Sequence, residues 1–437
     1  MTSGNNKVCV IAIWHLGSVV SACLADFGYF VVGVDKDKER VADLNNGVAP
    51  LFEPGLNELI DKNIKSKRLS YTTDLSQALK GSDYVMITFD TPVDEDDEVD
   101  LSDIFAASTE LARHMEDGSI IIVSSQVPIG TCDRIKSLIK QSSPSLDFDI
   151  ACSPENLRLG QAIDCYKNPA RIVIGADSES TLDRVEAFFD VIGSPKFRVN
   201  LRTAEMTKHA LNALLATSIS FANEIANLCD EVGADALEIA AALRSDERIS
   251  PKMPLLPGLG FAGGTLTRDL KILKSLGEMH GRETPLIDGV LRVNQQQNRV
   301  VVRKLCKIYG SLENVTVGIL GLTYKPGTST LRRSAALEII QDLTSAGVTV
   351  KAYDPKAEPA EIQQHHEFEF CPDPYTVAEG VDALVIVTEW PEFKELDFDL
   401  IRSRMKKPVL IDTKNMLDDK QMLEKGFIYL GIGRGTK

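Results

Sequence analysis

The chain has 437 residues, 43% of them hydrophobic and 25% charged, which is typical of a globular protein of two or three domains. Its net charge of −15 is the opposite of what a sequence-independent nucleic-acid binder needs, so we expect no nucleic-acid partner. The eight cysteines include no CxxC pair, and the sequence has no clean run of about 18 apolar residues. These features predict no metal site, no membrane partner and a cytoplasmic protein with reduced thiols.

The first elements of the chain predict a nucleotide-binding unit. Residues 7–13 form a short apolar run typical of a buried parallel strand, and residues 16–28 favour a helix. Residues 30–35 form a second strand that ends in Asp35. This order matches a dinucleotide-binding βαβ unit, whose terminal acid accepts a hydrogen bond from a ribose 2′-hydroxyl. Asp35 therefore favours NAD over NADP, with an ordinary surface acid at a strand end as the alternative.

The glycine fingerprint of that unit is incomplete. Of its three glycines only Gly17 is present, since Ala12 and Trp14 occupy the other two positions. Gly17 permits close packing of the helix against the strand. The second glycine normally lets a pyrophosphate approach the backbone, so we expect the ring of Trp14 to turn aside.

Apolar runs continue the pattern and then repeat it. Strand-like segments at 84–89, 119–124 and 148–152, with helical stretches between them, predict a doubly wound domain that reaches about residue 195. Residues 203–233 form one long helical pattern whose apolar stripe fits a spine between domains and a dimer surface. A second α/β pattern begins near residue 314, with strands at 315–320, 348–353, 383–387 and 408–411 and a helix at 333–346.

The predicted fold class is therefore α/β, with two Rossmann-like doubly wound domains joined by a central long-helix dimerisation region. The expected bounds are residues 1–200 for an NAD-binding domain, 201–300 for the central helical domain and 301–437 for a second nucleotide-binding domain.

Two segments draw attention as candidate binding elements. Lys208 and Asn212 are four residues apart on one face of the long helix, although a solvated lysine beside a capping amide fits the same spacing. The loop at 257–269 is rich in glycine and runs into a helical pattern, so we expect Asp269 in the first turn of a helix. Its four glycines either approach a ligand or simply connect two helices; they are Gly258, Gly260, Gly263 and Gly264.

Short motifs along essentially the whole chain resemble the UDP-glucose/GDP-mannose 6-dehydrogenases, which oxidise a nucleotide-sugar alcohol to a uronic acid with two NAD. Each motif alone is weak, but their order and spacing are specific. The motifs are Phe52-Glu53-Pro54-Gly55-Leu56, Thr91-Pro92, Val127-Pro128-Ile129-Gly130-Thr131, Ser153-Pro154-Glu155-Asn156-Leu157-Arg158, Asn168-Pro169, Arg171-Ile172-Val173-Ile174-Gly175, Ala204-Glu205-Met206-Thr207-Lys208, Asn212-Ala213-Leu214-Leu215-Ala216, Gly321-Leu322-Thr323-Tyr324-Lys325-Pro326, Tyr353-Asp354-Pro355, Thr388-Glu389-Trp390 and Asp412-Thr413-Lys414-Asn415.

The resemblance implies catalytic roles at an active site between the two outer domains. Lys208, Asn212 and Asp269 would surround a water or alkoxide while the alcohol loses a hydride, because an ammonium group stabilises negative charge on oxygen. Glu155 would assist the hydrolysis of a thioester in the second half of the reaction. Thr265 occupies the position of the family's nucleophilic cysteine.

The resemblance also implies binding residues for both ligands. NAD would contact Thr91, Thr131 and Arg332 in addition to Gly17 and Asp35. A UDP-sugar is the favoured substrate, and Arg248 would reach it across a homodimer. Lys414 stands where the family usually has an arginine, so a point charge replaces a planar fork. The remaining implied substrate-binding residues are Leu157, Gly260 and Lys325.

The sequence departs from the family pattern at positions to which the resemblance assigns catalytic or neighbouring roles. Arg268 replaces a lysine next to Asp269, Leu159 replaces a second glutamate, and Ser329-Thr330 replaces two aspartates. Thr265 is the most consequential departure, because a hydroxyl is far less acidic than a thiol and no histidine lies near it in sequence to act as a base.

Three outcomes of these departures stay open. In the first, oxidation stops after two electrons at an aldehyde or ketone. In the second, the aldehyde hydrate is oxidised directly while Asp269 and Glu155 move protons. In the third, Cys152 replaces the missing thiol. We predict NAD-dependent oxidation of a nucleotide sugar, in the family reaction at C6. The alternative is a catalytically inactive nucleotide-sugar-binding protein, which saturable NAD reduction would distinguish.

Overall fold

A computed structural model describes residues 7–91 and 99–435 of the chain, which forms two compact units, Met1–Ala210 and Leu211–Lys437. Within these described ranges, no helix combines the length and apolar character that crossing a bilayer requires.

The first unit is built on a sheet that contains eight strands among the described residues, in the order β3-β2-β1-β4-β5-β6-β7-β8. All neighbouring strands are parallel except β6 and β7, which pair antiparallel. The strands are β1 (Lys7–Ile11), β2 (Phe30–Val34), β3 (Leu69–Thr72), β4 (Tyr84–Ile87), β5 (Ser119–Val123), β6 (Phe148–Cys152), β7 (Ile172–Ala176) and β8 (Lys196–Val199).

Helices cover both faces of this sheet, which explains why its central strands are apolar at most positions. In β1, Val8 and Val10 pack into one hydrophobic cluster, while Cys9 and Ile11 pack into another on the opposite face. The helices are α1 (His15–Asp26), α2 (Lys38–Asn45), α3 (Leu56–Lys65), α4 (Leu75–Leu79), α5 (Ser102–Leu111), α6 (Thr131–Ser142), α7 (Ala162–Lys167) and α8 (Glu179–Phe188), followed by a 3₁₀ turn at Phe189–Val191.

A long helix, α9 (Leu201–Val232), begins in the first unit and ends in the second. Its 32 residues confirm the helix predicted over 203–233. The boundary of the units falls within this helix, and the expected three-domain division at residues 200 and 300 stays a prediction.

The second unit contains a sheet with the same strand order as the first six strands of the other, β11-β10-β9-β12-β13-β14. All of its pairs are parallel, so the expectation of two Rossmann-like domains is confirmed. The strands are β9 (Thr316–Leu320), β10 (Thr349–Tyr353), β11 (Glu369–Phe370), β12 (Ala383–Ile386), β13 (Val409–Asp412) and β14 (Ile428–Gly431).

Two groups of helices belong to the second unit. One group follows α9 and precedes the sheet: α10 (Ala236–Arg244), α11 (Thr265–Met279), α12 (Pro285–Gln297) and α13 (Val300–Tyr309). The other group alternates with the strands: α14 (Ala335–Ser345), α15 (Pro359–Ile362), α16 (Pro374–Ala378), α17 (Phe398–Arg404) and α18 (Asp419–Glu424), with a 3₁₀ turn at Pro391–Glu395.

Helix α11 corrects one expectation. It begins at Thr265, directly after Gly264, so Asp269 is its fifth residue and the first turn contains no acid. The prediction that Asp269 lies in the first turn is therefore wrong, because the helix starts earlier than the leucine spacing indicated.

Helix α6 is fixed to α9 by a buried carboxylate. Glu205 is 2% exposed, and its two oxygens accept hydrogen bonds from the backbone N–H groups of Gly130 (2.6 Å) and Cys132 (2.8 Å). Gly130, the residue before α6, has φ +91° and, as a glycine, has no side chain that could cap the helix. Glu205 thus supplies the acceptor that the N-terminus of α6 lacks.

We expect Glu205→Ala to destabilise the protein by about 3 kcal/mol, because two buried N–H groups lose their acceptors. Chemical denaturation of the full chain measures the change in the free energy of unfolding. Asp43→Ala is the control, since Asp43 is an exposed acid on α2 of the same unit, and its effect should stay within about 0.5 kcal/mol. Equal effects of the two substitutions would contradict the capping role.

Candidate active site

The turn between β1 and α1 keeps the conformation of a nucleotide-binding turn without two of its glycines. Ala12 has φ +69°, a left-handed conformation that glycine adopts more easily. This conformation ends β1 at Ile11, two residues before the predicted end. A Cβ on Gly17 would lie 1.9 Å from the carbonyl oxygen of Ala12, so only glycine fits where α1 meets the turn.

Asp35 lies at the end of β2, where the sequence placed it. Its Oδ2 accepts hydrogen bonds from the backbone N–H of Ile13 (3.1 Å) and from Arg40 (2.8 Å). The guanidinium of Arg40 in turn lies 4.9 Å from the ring centroid of Trp14, a cation–π contact. The Trp14 ring is 41% exposed and turned towards α2, as expected for a residue at the second glycine position.

The residues around this strand end fit the adenosine half of NAD. A crevice opens beside Ala12 and Asp35, with apolar walls from Leu75, Phe89 and Leu111. It lies at the carboxyl ends of parallel strands, next to the point where the strand order reverses between β1 and β4. Apolar walls beside a carboxylate suit a base and its ribose.

The implied NAD contacts at two threonines involve hydroxyls that already have partners. Thr91 donates to the carbonyl oxygen of Gln126 (3.0 Å), and Thr131 donates to that of Pro128 (2.6 Å). Both threonines are buried and brace loops at the ends of β4 and β5. Arg332 is exposed, in the second unit, and Pro92 lies outside the described residues. Direct contacts of these residues with NAD stay predictions.

Lys208 and Glu155 lie close together in the first unit and form an ion pair. Lys208 is 9% exposed, and its Nζ lies 3.8 Å from Oε1 of Glu155 and 3.4 Å from Oδ1 of Asn156. The other oxygen of Glu155 accepts a hydrogen bond from the backbone N–H of Leu157. A nearly buried ammonium is stable only with such partners. The solvated-lysine alternative does not apply to Lys208.

Asn212 and Asp269 form a second buried pair, within the second unit. Asn212 donates from Nδ2 to Oδ2 of Asp269, which is completely buried. Nε of Arg268 lies 3.5 Å from the other carboxylate oxygen, so its cation balances the buried charge. Thr265 lies one helical turn before Asp269 on α11.

The glycine-rich loop owes its composition to close packing against buried amides. A Cβ on Gly260 would lie 2.7 Å from Oδ1 of Asn294, and the N–H of Gly260 donates to Oδ1 of Asn298 (3.2 Å). Asn223 accepts from the N–H of Gly258 (2.9 Å), and Gln297 donates to the carbonyl oxygen of Gly258 (2.7 Å). These contacts favour the connecting role of the loop, and substrate binding by Gly260 stays a prediction.

The implied substrate cations lie in the second unit and have protein partners. Lys414 forms an ion pair with Glu389 (2.8 Å), and Lys325 lies 5.5 Å from the ring centroid of Tyr324. Arg248 is 84% exposed and pairs with Asp246 at 2.7 Å. That hydrogen bond lowers the pKa of the Asp246 carboxyl to about 2.

Cys152 does not open onto the active-site residues. Its side chain is completely buried in the cluster that also contains Cys132 and Val123. A hydrogen bond with Cys152, together with burial, holds the pKa of the Cys132 thiol well above its usual range. Cys152 therefore packs as a small core residue.

Sequence reasoning missed the buried carboxylates that hold the loops at the strand ends. Glu53 accepts from the backbone N–H groups of Gly160 (2.9 Å) and Ala162 (2.7 Å). Asp354 accepts from those of Leu322 (2.7 Å) and Thr323 (2.9 Å). The available signal was positional, since Asp354 ends β10 as Asp35 ends β2. Among the described residues no group of three or more His, Cys, Asp or Glu side chains could hold a metal ion.

Family comparisons cover most of the chain. Models of the UDP-glucose/GDP-mannose dehydrogenase family match residues 6–192 as its NAD binding domain, 202–296 as its central domain and 318–419 as its UDP binding domain. The chain is 37% identical to the UDP-glucose 6-dehydrogenase TuaD of Bacillus subtilis, over 98% of this chain and 93% of that protein. It is also 37% identical to a UDP-glucose 6-dehydrogenase of Rhizobium meliloti, over 98% and 99%.

Solved structures give the same result. A UDP-glucose dehydrogenase from Pyrobaculum islandicum superposes with a TM-score of 0.88 and 30% identity, covering 99% of both chains. A UDP-D-ManNAc dehydrogenase from Pyrococcus horikoshii gives 0.85 and 28%, covering 98% of this chain and 99% of that one.

Proposed function

The chain belongs to the UDP-glucose/GDP-mannose dehydrogenase family of NAD-dependent oxidoreductases acting on CH–OH groups, and we propose that it oxidises a UDP-hexose at its C6 alcohol. The match to the family's UDP binding domain and the names of the relatives support uridine diphosphate as the nucleotide.

The observation that carries this proposal is the nearly buried Lys208 ammonium beside Glu155. Lys208 is one helical turn before Asn212, on the same face of α9. Asn212 is itself oriented by Asp269. A protein that only binds sugars has no need of a desolvated cation and a carboxylate–amide pair so close along one helix.

These residues account for the removal of a hydride from a primary alcohol. Bound NAD supplies the hydride acceptor. Lys208 stabilises the negative charge that develops on the alcohol oxygen, an effect that is large in a site shielded from water. Asn212, fixed by Asp269, positions that oxygen, and Asp269 takes up the released proton through a water molecule.

We propose that oxidation stops after this first step, at the aldehyde. The Thr265 hydroxyl needs a general base, and the nearest histidine along the chain, His280, follows the opposite end of α11, about 22 Å away. Glu155 accepts from Leu157 and faces Lys208, which leaves it poorly placed to activate a hydrate. The burial of Cys152 removes the other candidate nucleophile.

A homodimer that uses α9 is part of the proposal. Four large apolar side chains on this helix are 47–76% exposed, and three of them repeat every seven residues, which is the spacing of a helix-packing seam. They are Leu214, Phe221, Leu228 and Val232. Sedimentation of the full chain tests the dimer. The cytoplasmic location stays a prediction.

The proposed reaction is tested by counting NADH released per sugar consumed over a panel of UDP- and GDP-sugars, with mass detection of the product. We expect one NADH per sugar and an aldehyde, with a UDP-hexose as the best substrate. Two NADH and a uronate would contradict the two-electron stop. No NADH with any sugar, despite measurable sugar binding, would contradict the proposed oxidation.

A further inference from the structure

The N-terminus of α1 is the place where a nucleotide-binding unit of this kind holds the pyrophosphate of its cofactor, because free N–H groups point there. In this protein the backbone N–H of Leu16, in the first turn of α1, donates to Oδ2 of Asp90 at 3.3 Å. A carboxylate therefore lies against the helix end where two phosphate groups would bind.

The backbone of Asp90 is held by hydrogen bonds of the residues before and after it in the chain. Before it, the hydroxyl of Thr88 donates to the carbonyl oxygens of Ile11 (2.8 Å) and Ala12 (2.9 Å) in the nucleotide-binding turn. After it, the hydroxyl of Thr91 donates to the carbonyl oxygen of Gln126. The segment that follows β4 is thus fastened to the turn, which keeps the backbone of Asp90 next to the N-terminus of α1.

The surroundings of Asp90 oppose a negative charge on balance. Asp90 is exposed as a residue, but the protein atoms that displace water around its carboxyl group raise its pKa most; the N–H of Leu16 and His15 lower the pKa, and the carboxylate of Glu155 raises it. Within the described part of the first unit, His15 on α1 and Glu155 in the loop after β6 are the titratable side chains whose charges act most strongly on Asp90. His15 itself lies 3.2 Å from Glu53, so its effect is shared with a second acid.

We propose that Asp90 occupies the pyrophosphate position of the free enzyme and binds a proton when NAD binds, so that it sets the cofactor affinity and its dependence on pH. An ionised carboxylate next to two phosphate charges is strongly unfavourable, whereas a neutral carboxyl group can donate a hydrogen bond to a phosphate oxygen.

The direction of the pH dependence follows from linkage. The bound phosphates favour the protonated form of Asp90, so its pKa is higher in the complex than in the free protein. Between these two pKa values NAD binding takes up a proton, and the affinity falls as the pH rises.

The test is the dissociation constant of NAD for the full chain, measured by titration calorimetry at a mildly acidic and a mildly alkaline pH. We expect Asp90→Asn to bind NAD at least about tenfold more tightly than the wild type at the alkaline pH, and with little pH dependence. Adenosine, which lacks the pyrophosphate, should bind both proteins equally. This comparison separates removal of a charge at the phosphates from a general change in the crevice.

The matched control is Asp418→Asn, because Asp418 also accepts from a helix N-terminus, through the N–H of Gln421, but in the second unit. It should leave NAD binding unchanged. Equal or weaker NAD binding by Asp90→Asn would overturn the proposal. If this variant does not fold, calorimetry of the wild type in buffers of different ionisation enthalpy decides, and NAD binding without proton uptake would overturn it.

Discussion

Replacing Lys208 by methionine is expected to lower the rate of NADH formation from a UDP-hexose about a thousandfold, because the alcohol oxygen loses the cation that stabilises its developing charge. Methionine keeps the length of the side chain and removes the charge. Initial rates at saturating NAD and sugar measure the effect on kcat. The dissociation constant of NAD, measured by calorimetry, should change little, since the residues that fit the adenosine half lie on other elements.

Arg202→Met provides the control for this substitution. Arg202 is a cation on the same helix, 72% exposed and paired with Asp133, so its loss should change kcat by less than about twofold. Thermal unfolding of both variants shows whether the loss of activity reflects an unfolded protein. A folded Lys208→Met enzyme that keeps more than about a tenth of the wild-type kcat would refute the role of Lys208.

Replacing Thr265 by cysteine is expected to change the stoichiometry of the reaction, from one NADH per sugar to two, with a uronate as product. A thiol adds to the aldehyde carbon as a thiolate and forms a thiohemiacetal. The thiohemiacetal loses a hydride to a second NAD and becomes a thioester. Water then hydrolyses the thioester to the carboxylate and the free thiol. A thiol with a pKa of about 8.5 is partly ionised near neutrality, and the first turn of α11 favours the anion.

Thr265→Ser is the matched control, because serine retains a hydroxyl and removes only the methyl group. It should release one NADH per sugar, as the wild type does, which shows that the gain depends on sulfur and not on space. Product masses and NADH yields with limiting sugar measure both variants. A Thr265→Cys enzyme that still stops at the aldehyde would show that the thiol alone cannot restore the second step.

The fold could be predicted from the sequence in most of its elements. The apolar runs at β1, β2, β4, β5 and β6 are buried on both faces of a parallel sheet, a pattern that local sequence expresses directly. Strands β3, β7, β8, β11 and β14 were missed; all of them except β7 lie at the edges of their sheets, where few of their residues are buried. The end of β1 was placed two residues late because the sequence gives no sign that the backbone of Ala12 adopts a left-handed conformation.

The candidate site could be predicted in part. Lys208 with Glu155, and Asn212 with Asp269, are paired within their own units, and the motifs had pointed to all four residues. The glycine loop was harder to interpret, because Gly258, Gly260 and Phe261 form hydrogen bonds with four amide side chains between residues 223 and 298, far from the loop along the chain. Cys152 was a reasonable candidate nucleophile until its orientation was known, since a residue at a strand end points to either face.

The sequence by itself determined the two nucleotide-binding folds and the family, and it predicts the preference for NAD through Asp35 and the absence of the catalytic thiol at Thr265. Each of these depends on local periodicity or on the identity of a residue within a motif. The tertiary structure alone decided the burial of Cys152, the capping of α6 by Glu205 and the position of Asp90 at α1. The physical reason is separation along the chain: Asp90 is 74 residues from Leu16, and only the parallel pairing of β1 with β4 brings their loops to the same edge of the sheet.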